Sequence, residues 1–216
     1  FNDDHSIALR RAPDAREAIT QAWGAPQGHS SLGSLRELQG LIGAFEWRKK
    51  GVAIAALDAR IYPHYGVFSP VRGEYVALVA QAPWPQTSGR GAPHCAFDIG
   101  TGTGVLAAVL ARRGVQHVTA SDADPRALAC ARDNVKRLQL DAQIEIIAAD
   151  MFAPGSADLI VCNPPWLPAT VHAPIERAVY DPDSTMLRSF LAGLAAHLRP
   201  GGEGWLIMSC LLYTSD

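Results

Sequence analysis

The most informative residues of this chain are Asn163, Pro164, Pro165 and Trp166, which follow the apolar run 157–162. Proline has no N–H to donate to a sheet ladder, so two consecutive prolines end a strand at Asn163. An amide side chain, a free backbone carbonyl and an indole therefore gather at the carboxyl end of a strand, where open α/β sheets bind ligands. Two oxygens can accept the hydrogens of a planar –NH2 group while an aromatic face covers its plane. A sharp loop with an anchored Trp is the alternative for these four residues alone.

A glycine-rich turn is the second group of residues suited to ligand binding. Residues 98–104 read DIGTGTG and join a predicted strand to a predicted helix. Glycine lets the backbone turn tightly and approach a ligand, while the helix N-terminus offers unpaired N–H groups. The dinucleotide fingerprint requires glycine three positions after the second one. That position is Val105, which argues against an NAD-dependent oxidoreductase.

Two aspartates end the next predicted strands. Asp122 lies where an acidic residue commonly accepts hydrogen bonds from ribose hydroxyls. Asp124 is the better-placed N-cap of the following helix, so we expect Asp122 to be left free for a ligand. Asp150, followed by the apolar Met151, suits an adenine amine covered by an apolar side chain. A plain turn aspartate explains Asp150 equally well.

The elements that must position these residues follow from alternating strand and helix patterns after residue 95. Strands are predicted at 95–99, 117–121, 144–149, 159–162 and 204–208, and helices at 104–113, 125–138 and 184–198. This alternation predicts an α/β fold with a mostly parallel sheet and helices on both faces.

The first 82 residues predict a small helical and hairpin region, which we expect to dock the substrate. A helix at 12–23 has Pro13 and Asp14 in its first turn, and a second follows Ser34, which forms a capping box with Glu37 and leads to a stop at Gly51. A hairpin is predicted with strands 52–57 and 60–62, then a helix at 74–81. Residues 83–94, rich in Pro, Gly and Ser, predict a linker to the domain at 95–209.

Composition restricts the class of protein. The chain has 216 residues, is 48% hydrophobic and carries a net charge of −2, so no global basic field attracts nucleic acid. No run of 18 apolar residues indicates a membrane span. The cysteines at 95, 130, 162 and 210 are widely spaced and indicate buried, reduced thiols of a cytoplasmic protein. We assign no metal.

Taken together, FDIGTGTG, SDAD, AADMF and NPPW in this order resemble the class I S-adenosylmethionine-dependent methyltransferases. The resemblance covers residues 95–208 and implies a Rossmann-like methyltransferase fold with S-adenosylmethionine as cofactor. The NPPW motif implies an amino-methyltransferase. Residues 61–79, which contain YGVFSP and RGE, are similar to the hairpin and Pro-Arg-Glu segment of HemK-like enzymes. Those enzymes methylate a glutamine of peptide release factors.

The resemblance implies a role for each site residue. Gly100 and Gly102 would lie along the methionine part of the cofactor, Asp122 would hold the ribose, and Asp150 with Met151 would hold the adenine. The full cofactor-binding set is Asp98, Gly100, Thr101, Gly102, Gly104, Asp122, Asp150, Met151 and Asn163.

The same resemblance implies how the methyl acceptor is held. Asn163 would accept one amide hydrogen through its side-chain oxygen, the Pro164 carbonyl would accept another, and Trp166 would stack on the amide plane. Asn163, Pro164 and Trp166 are thus the predicted catalytic residues, and Asn163, Pro165 and Trp166 the predicted substrate contacts. In HemK-like enzymes the fourth motif position is usually Tyr.

Three functions remain open on this sequence. The first is methyl transfer to a glutamine of a release-factor-like protein, which the near-neutral charge favours. The second is methyl transfer to an exocyclic amine of rRNA, tRNA or DNA. The third is a non-catalytic module that binds the cofactor. An NAD oxidoreductase is a distant fourth because of Val105.

The end of the chain carries its own expectation. The resembled fold continues with two more strands and a helix after the strand at 204–208, whereas residues 210–216 resemble translated adapter sequence. We therefore expect a truncated catalytic domain and a non-native tail at 210–216.

Overall fold

The computed structural model describes residues 1–71, 73–85, 91–165 and 180–208. Two helices open the chain, α1 at Arg16–Trp23 and α2 at Leu35–Lys50. The predicted cap of α2 is confirmed, since the Ser34 hydroxyl accepts the Glu37 N–H at 3.0 Å. The predicted start of α1 at residue 12 is wrong. The Asp14 carboxylate accepts both the backbone N–H and the guanidinium of Arg16, so these donors are satisfied before the helix begins.

A short antiparallel hairpin and a third helix follow. Strands β1 (Val52–Ile54) and β2 (Ala59–Ile61) pair, and α3 spans Glu74–Gln81 as predicted. The first predicted strand is too long, because Ala55–Leu57 forms a 3-10 turn that Asp58 ends in the left-handed region at φ 48°. This tighter turn is compatible with Asp, which tolerates positive φ better than most residues.

The remaining strands form one five-stranded sheet in the order β5-β4-β3-β6-β7. They are β3 (Cys95–Ile99), β4 (His117–Asp122), β5 (Ile144–Ala148), β6 (Ala157–Cys162) and β7 (Leu198–Leu206). All four pairings are parallel, which confirms the predicted α/β fold. β7 begins earlier than the predicted 204–208 because Leu198 already pairs with Ala157, and an irregularity then shifts the register.

Helices cover both faces of this sheet. They are α4 (Val105–Arg112), α5 (Pro125–Arg137) and α6 (Thr185–His197). Leu159 and Val161 of β6 pack in one core cluster with α4, α5, α3 and the hairpin. The alternate residues Ile160 and Cys162 pack with Phe190 of α6 on the opposite face. The hairpin and α3 therefore belong to the same hydrophobic core as α4, and the domain boundaries expected from the sequence stay a prediction.

The strand register brings three chain reversals to one level of the sheet edge. Ile99 in the central strand β3 lies opposite Ser121 of β4 on one side and Cys162 of β6 on the other. Each strand gives way to a turn within one residue of this level, so Gly100, Asp122 and Asn163 meet at the carboxyl edge. The chain continues from β3 to one side of the sheet and later to the other, and such switch points form ligand-binding crevices.

Asn134 of α5 fastens the hairpin to this edge. Its side-chain oxygen accepts the Tyr62 N–H at 2.8 Å, and its amide group donates to the Tyr62 and Thr103 carbonyls at 3.3 and 3.0 Å. The side chain is buried, so these bonds cannot be replaced by water without opening the core. One amide therefore joins the segment after β2 to the glycine-rich turn.

The described residues contain no helix with the length and apolar character needed to cross a membrane. Cys130 and Cys162 are buried free thiols and Cys95 is a half-buried one, while residue 210 lies outside the described ranges. Within those ranges, no three His, Cys, Asp or Glu side chains are grouped as metal ligands would be.

We expect Asn134→Leu to destabilise the protein strongly. Leucine has a similar volume but removes the partner of the Tyr62 N–H and of the carbonyl of the buried Thr103, at a cost of about 2–4 kcal/mol in the free energy of unfolding. Urea denaturation of the wild type and this variant measures the loss. The matched control is Gln143→Leu at an exposed site. Equal stability of the two variants would show that the bonds of Asn134 do not hold the hairpin.

Candidate active site

A cavity of about 590 Å³ opens at the carboxyl edge of the sheet, beside β3. The glycine-rich turn and Asp122 line one side, Asn163 to Pro165 contribute another, and Gly66 to Phe68 reach it from the segment after the hairpin. This volume is typical of a site for a small molecule of cofactor size. Its walls therefore come from parts of the chain that are far apart in sequence.

The glycine-rich turn is held in a conformation that other residues adopt only with strain. Gly100, Gly102 and Gly104 have φ values of 68°, 55° and 80°. A Cβ at Gly100 would come within 2.9 Å of the Met186 Cε, whereas the nearest atom to one at Gly102 is 4.0 Å away, on Val67. Gly100 and Gly102 thus present their backbone directly to the cavity.

Two of the predicted cofactor-binding residues lie behind this turn. Asp98 is buried, and its carboxylate accepts the Thr101 hydroxyl at 2.7 Å and the Ala107 N–H at 3.0 Å. A Cβ at Gly104 would lie 3.3 Å from the Ala131 backbone, so this glycine permits close contact between α4 and α5. Neither Asp98 nor Gly104 is among the described residues that line the cavity. Both shape the turn instead.

Asp122 lines the cavity, but the prediction that its carboxylate is left free is wrong. One carboxylate oxygen accepts the Gly102 N–H at 3.0 Å and the other accepts the Asp124 N–H at 2.9 Å. The expected cap of α5 is confirmed, since Asp124 accepts the Arg126 N–H. Burial raises the pKa of Asp122. Each carboxylate oxygen has a second acceptor direction, so Asp122 can fix the turn and still accept hydroxyl hydrogens.

Asp150 and Met151 follow β5 at the same edge, yet neither lines the cavity in the described part of the chain. Asp150 is exposed, and the Met151 carbonyl accepts the Ser121 hydroxyl at 2.7 Å. Met151 has a φ of 74°, in the left-handed region. The adenine contacts expected of these two residues stay a prediction.

Asn163 carries the most unusual polar atom of the cavity. Its side-chain oxygen is buried and has no hydrogen-bond partner among the described residues. Buried polar atoms in proteins are nearly always paired, so an unpaired acceptor at a cavity wall indicates a place for a ligand donor. Pro164 is buried and Pro165 half-buried beside it. Trp166, the predicted stacking residue, lies outside the described residues.

Several cavity residues were not predicted from the sequence. They include Gly66, Val67, Phe68, Tyr75, Arg126 and Met186. Arg126 forms an ion pair with Asp124 at 2.7 Å. Met186 sits at the start of α6, where its N–H is bound by the Asp181 carboxylate. The sequence pointed only to the YGVFSP segment, which contains Gly66, Val67 and Phe68 but no local motif that indicates a ligand contact.

Comparison with protein families matches residues 60–215 to the methyltransferase small domain. The chain belongs to this family. The match begins within β2, so the family unit includes α3 and the segment that covers the cavity. Membership in the methyltransferase small domain family confirms the class recognised from the four motifs and supports S-adenosylmethionine as the cofactor of the cavity.

Individual relatives are consistent with a methyltransferase small domain. A release factor glutamine methyltransferase of Cereibacter sphaeroides is 37% identical over 50% of this chain and 44% of its own length. One from Gloeobacter violaceus is 32% identical over 76% and 59%. A ribosomal RNA small subunit methyltransferase C of Alcanivorax borkumensis is 31% identical over 73% and 45%. The chain thus spans about half the length of these curated relatives.

Among solved structures, a methyltransferase from Pyrococcus furiosus superposes with a TM-score of 0.51 over 76% of both chains. Its sequence is 22% identical, so the likeness concerns the fold alone. The predicted Rossmann-like methyltransferase fold is confirmed.

The methyltransferase small domain should lose stability as pH rises through the titration of Asp98. Burial raises the pKa of Asp98 to about 6, so the folded state binds its proton more tightly than the unfolded state. Its stabilising contribution is complete below the ordinary Asp value and is lost as pH rises through about 6. Asp98→Asn removes this titration while keeping an acceptor oxygen.

The measurement is the free energy of unfolding of both proteins at several pH values. Between pH 4 and 7, the stability of the wild type should fall relative to Asp98→Asn by on the order of 3 kcal/mol. Asp14→Asn is the control, because the guanidinium of Arg16 lowers the pKa of the exposed Asp14 to about 2 and places its titration below this window. A constant difference in stability between wild type and Asp98→Asn would show that folding does not raise the pKa of Asp98.

Proposed function

We propose that the protein is an S-adenosylmethionine-dependent methyltransferase whose acceptor is a planar amide or amine nitrogen, the glutamine side chain of a release-factor-like protein. The observation that carries this proposal is the buried side-chain oxygen of Asn163 at the cavity wall, which has no hydrogen-bond partner among the residues that the structure describes. Family membership supports the reaction class, and relatives named release factor glutamine methyltransferase support the acceptor.

The residues of the cavity fit the cofactor. The glycine-rich turn presents backbone at positive φ to one part of the cavity, and the carboxylate of Asp122 offers acceptors for sugar hydroxyls. When bound, S-adenosylmethionine supplies a methyl group activated by a sulfonium. The protein therefore has to align a nitrogen with that methyl group and hold it close, a task of positioning more than of acid–base chemistry.

Asn163 and Pro164 are proposed to do this positioning. An amide nitrogen is a weak nucleophile because its lone pair is delocalised into the carbonyl. The Asn163 side-chain oxygen and the Pro164 carbonyl would accept its two hydrogens, which fixes the nitrogen and raises its electron density. These hydrogen bonds strengthen as positive charge develops on nitrogen, so they favour the transition state over the ground state.

Trp166 and Pro165 would complete the substrate contacts, with the indole of Trp166 on the amide plane. No strong general base is needed, because the nitrogen becomes acidic once it carries the methyl group. Asp98 is buried beneath the turn and bound to Thr101, so it is not placed to take this proton. The three cysteines free in the described residues accord with the cytoplasmic location that we include in the proposal.

A nucleobase amine is the competing acceptor, since one relative is named for ribosomal RNA and another for tRNA. The net charge of −2 favours protein, because binding of phosphate backbones usually demands clustered Lys and Arg. Incubation with methyl-labelled cofactor and cell extract, followed by protease or nuclease digestion, separates the two. Label that is released by protease and survives nuclease supports the proposal, whereas the reverse favours a nucleic acid.

Asn163→Ala should abolish methyl transfer while leaving cofactor affinity nearly intact. The substitution removes the acceptor that orients the nitrogen but leaves the glycine-rich turn and Asp122 in place. A loss of about 100-fold or more in transfer rate is expected for a preorganised group of this kind. Transfer of labelled methyl and calorimetric binding of S-adenosylhomocysteine measure the two properties separately.

Two further variants make this result specific. Asn163→Asp keeps an acceptor oxygen and should retain more transfer than Asn163→Ala, and Asn2→Ala, at an exposed N-terminal site, should behave as the wild type. Full activity of Asn163→Ala would refute the assignment. A parallel collapse of cofactor binding in that variant would show that Asn163 acts on the cofactor alone.

A further inference from the structure

A second cleft of about 300 Å³ lies beside the cofactor cavity and serves no step of the proposed reaction. It is formed where the N-terminal helices meet α5. Its polar lining comes from Gln21 of α1, Arg48 of α2, His64 and Tyr65 after the hairpin, and Arg126 of α5. All five are side chains that can donate a hydrogen bond. None of the described residues that line this cleft is acidic.

The charges of the cleft are unequally compensated. Arg126 is paired with Asp124 at 2.7 Å, and the His64 ring lies 2.9 Å from Asp133. Arg48 forms no ion pair within the part of the chain that the structure describes. It is nevertheless close enough that its charge, after burial, lowers the pKa of His64. Among the described residues that line the cleft, the guanidinium of Arg48 is therefore the cation available to a ligand.

The cleft is linked to the cofactor cavity but lies away from the acceptor end. Pro125 and Arg126 line both spaces, and the run 64–68 passes from one to the other. Asp122 ends β4 and Asn163 follows β6, with β3 between the two strands, which separates these two residues by about 10 Å. The second cleft is on the Asp122 side. A substrate chain therefore needs at least about three extended residues to connect a group bound in the second cleft to a nitrogen held at Asn163.

We propose that this cleft binds an acidic side chain of the methyl-accepting protein, a few residues away in sequence or space from the nitrogen held at Asn163. Arg48 supplies the charge, with Tyr65 and Gln21 as neutral donors beside it. A guanidinium binds a carboxylate through two parallel hydrogen bonds, which provides orientation as well as attraction. This inference rests on the proposed protein acceptor and assigns a docking role to the junction between the N-terminal helices and α5.

A carboxylate fits the cleft better than a nucleic acid phosphate. A polynucleotide gains affinity by neutralising several phosphates along its length, which requires several uncompensated cations. In the described lining, this cleft offers one uncompensated cation, since Arg126 and His64 already face carboxylates. One guanidinium in a small concave site suits a single anionic side chain.

The test is direct binding, which does not require methyl transfer. The probes are a fluorescein-labelled peptide of alternating Glu and Gly, the matched Gln and Gly peptide, and a short oligoadenylate RNA. Fluorescence anisotropy at low salt gives each Kd for the wild type, Arg48→Gln, Arg48→Lys and Arg36→Gln. Arg36 is an exposed residue of the same helix that does not line the cleft, so it controls for a general loss of charge.

We expect Arg48→Gln to raise the Kd of the acidic peptide about tenfold. Arg48→Lys should recover only part of the affinity, because lysine keeps the charge but not the two parallel hydrogen bonds. The neutral peptide should be unaffected, and Arg36→Gln should match the wild type. Calorimetry with S-adenosylhomocysteine should give the same cofactor affinity for Arg48→Gln and wild type. Because Asn163→Ala should still bind the acidic peptide, failure of methyl transfer and failure of docking are separable.

Three results would overturn the proposal. Equal losses in Arg48→Gln and Arg36→Gln would reduce the effect to overall charge. A loss of RNA binding in Arg48→Gln, with binding of the acidic peptide unchanged, would show that the cleft binds a nucleic acid phosphate. Weaker cofactor binding in Arg48→Gln would make the cleft an extension of the cofactor cavity.

Discussion

The active-site cavity depends on the parallel pairing of β4, β3 and β6 in a register that ends all three strands at one level. Ile99 in β3 is aligned with Ser121 on one side and Cys162 on the other. Because each strand ends within one residue of this level, the alignment brings the glycine-rich turn, the carboxylate of Asp122 and the amide of Asn163 to one edge of the sheet. A shift of two residues in either pairing would move Asp122 or Asn163 about 7 Å along the sheet, away from the turn.

The turn itself is shaped by carboxylates on both sides. Asp98 binds Thr101 and the backbone of α4 from within the core, while Asp122 binds the Gly102 N–H from the cavity. Burial destabilises the charged form of Asp98, which raises its pKa. The hydrogen bonds of Asp98 in turn fix a loop whose glycines would otherwise sample many conformations. Asn134 then ties the turn to the segment that covers the cavity. The site is therefore preorganised by buried polar side chains.

The sequence predicted the features that depend on local chemistry. A strand followed by alternating glycines, an aspartate that caps α5, and prolines that end β6 each act within a few residues, so Gly100, Asp124 and Asn163 were found where they lie. Features that depend on tertiary packing were not predicted. Phe68 and Met186 reach the cavity from distant elements, and no local sequence motif around them indicates a ligand contact.

Some predictions failed because a side chain or a pairing overrode the local pattern. Asp122 was expected to be free, but the return of the glycine turn against β4 engages it. The start of α1 was shifted by the carboxylate of Asp14. Asn134 was overlooked because an Asn in an amphipathic helix usually faces solvent, whereas here Tyr62 and Thr103 bring backbone groups to it. The early start of β7 depends on pairing with β6, which sequence periodicity does not report.

We infer that the cavity between the glycine turn and Asn163 holds the cofactor with its reactive end at the Asn163 side-chain oxygen. A crystal structure with S-adenosylhomocysteine tests this most directly. We expect sugar hydroxyls within hydrogen-bond distance of Asp122, the amino-acid part along Gly100 and Gly102, and the sulfur facing Asn163. A ligand bound outside this cavity, or an Asn163 oxygen turned into a bond with its own backbone, would contradict it.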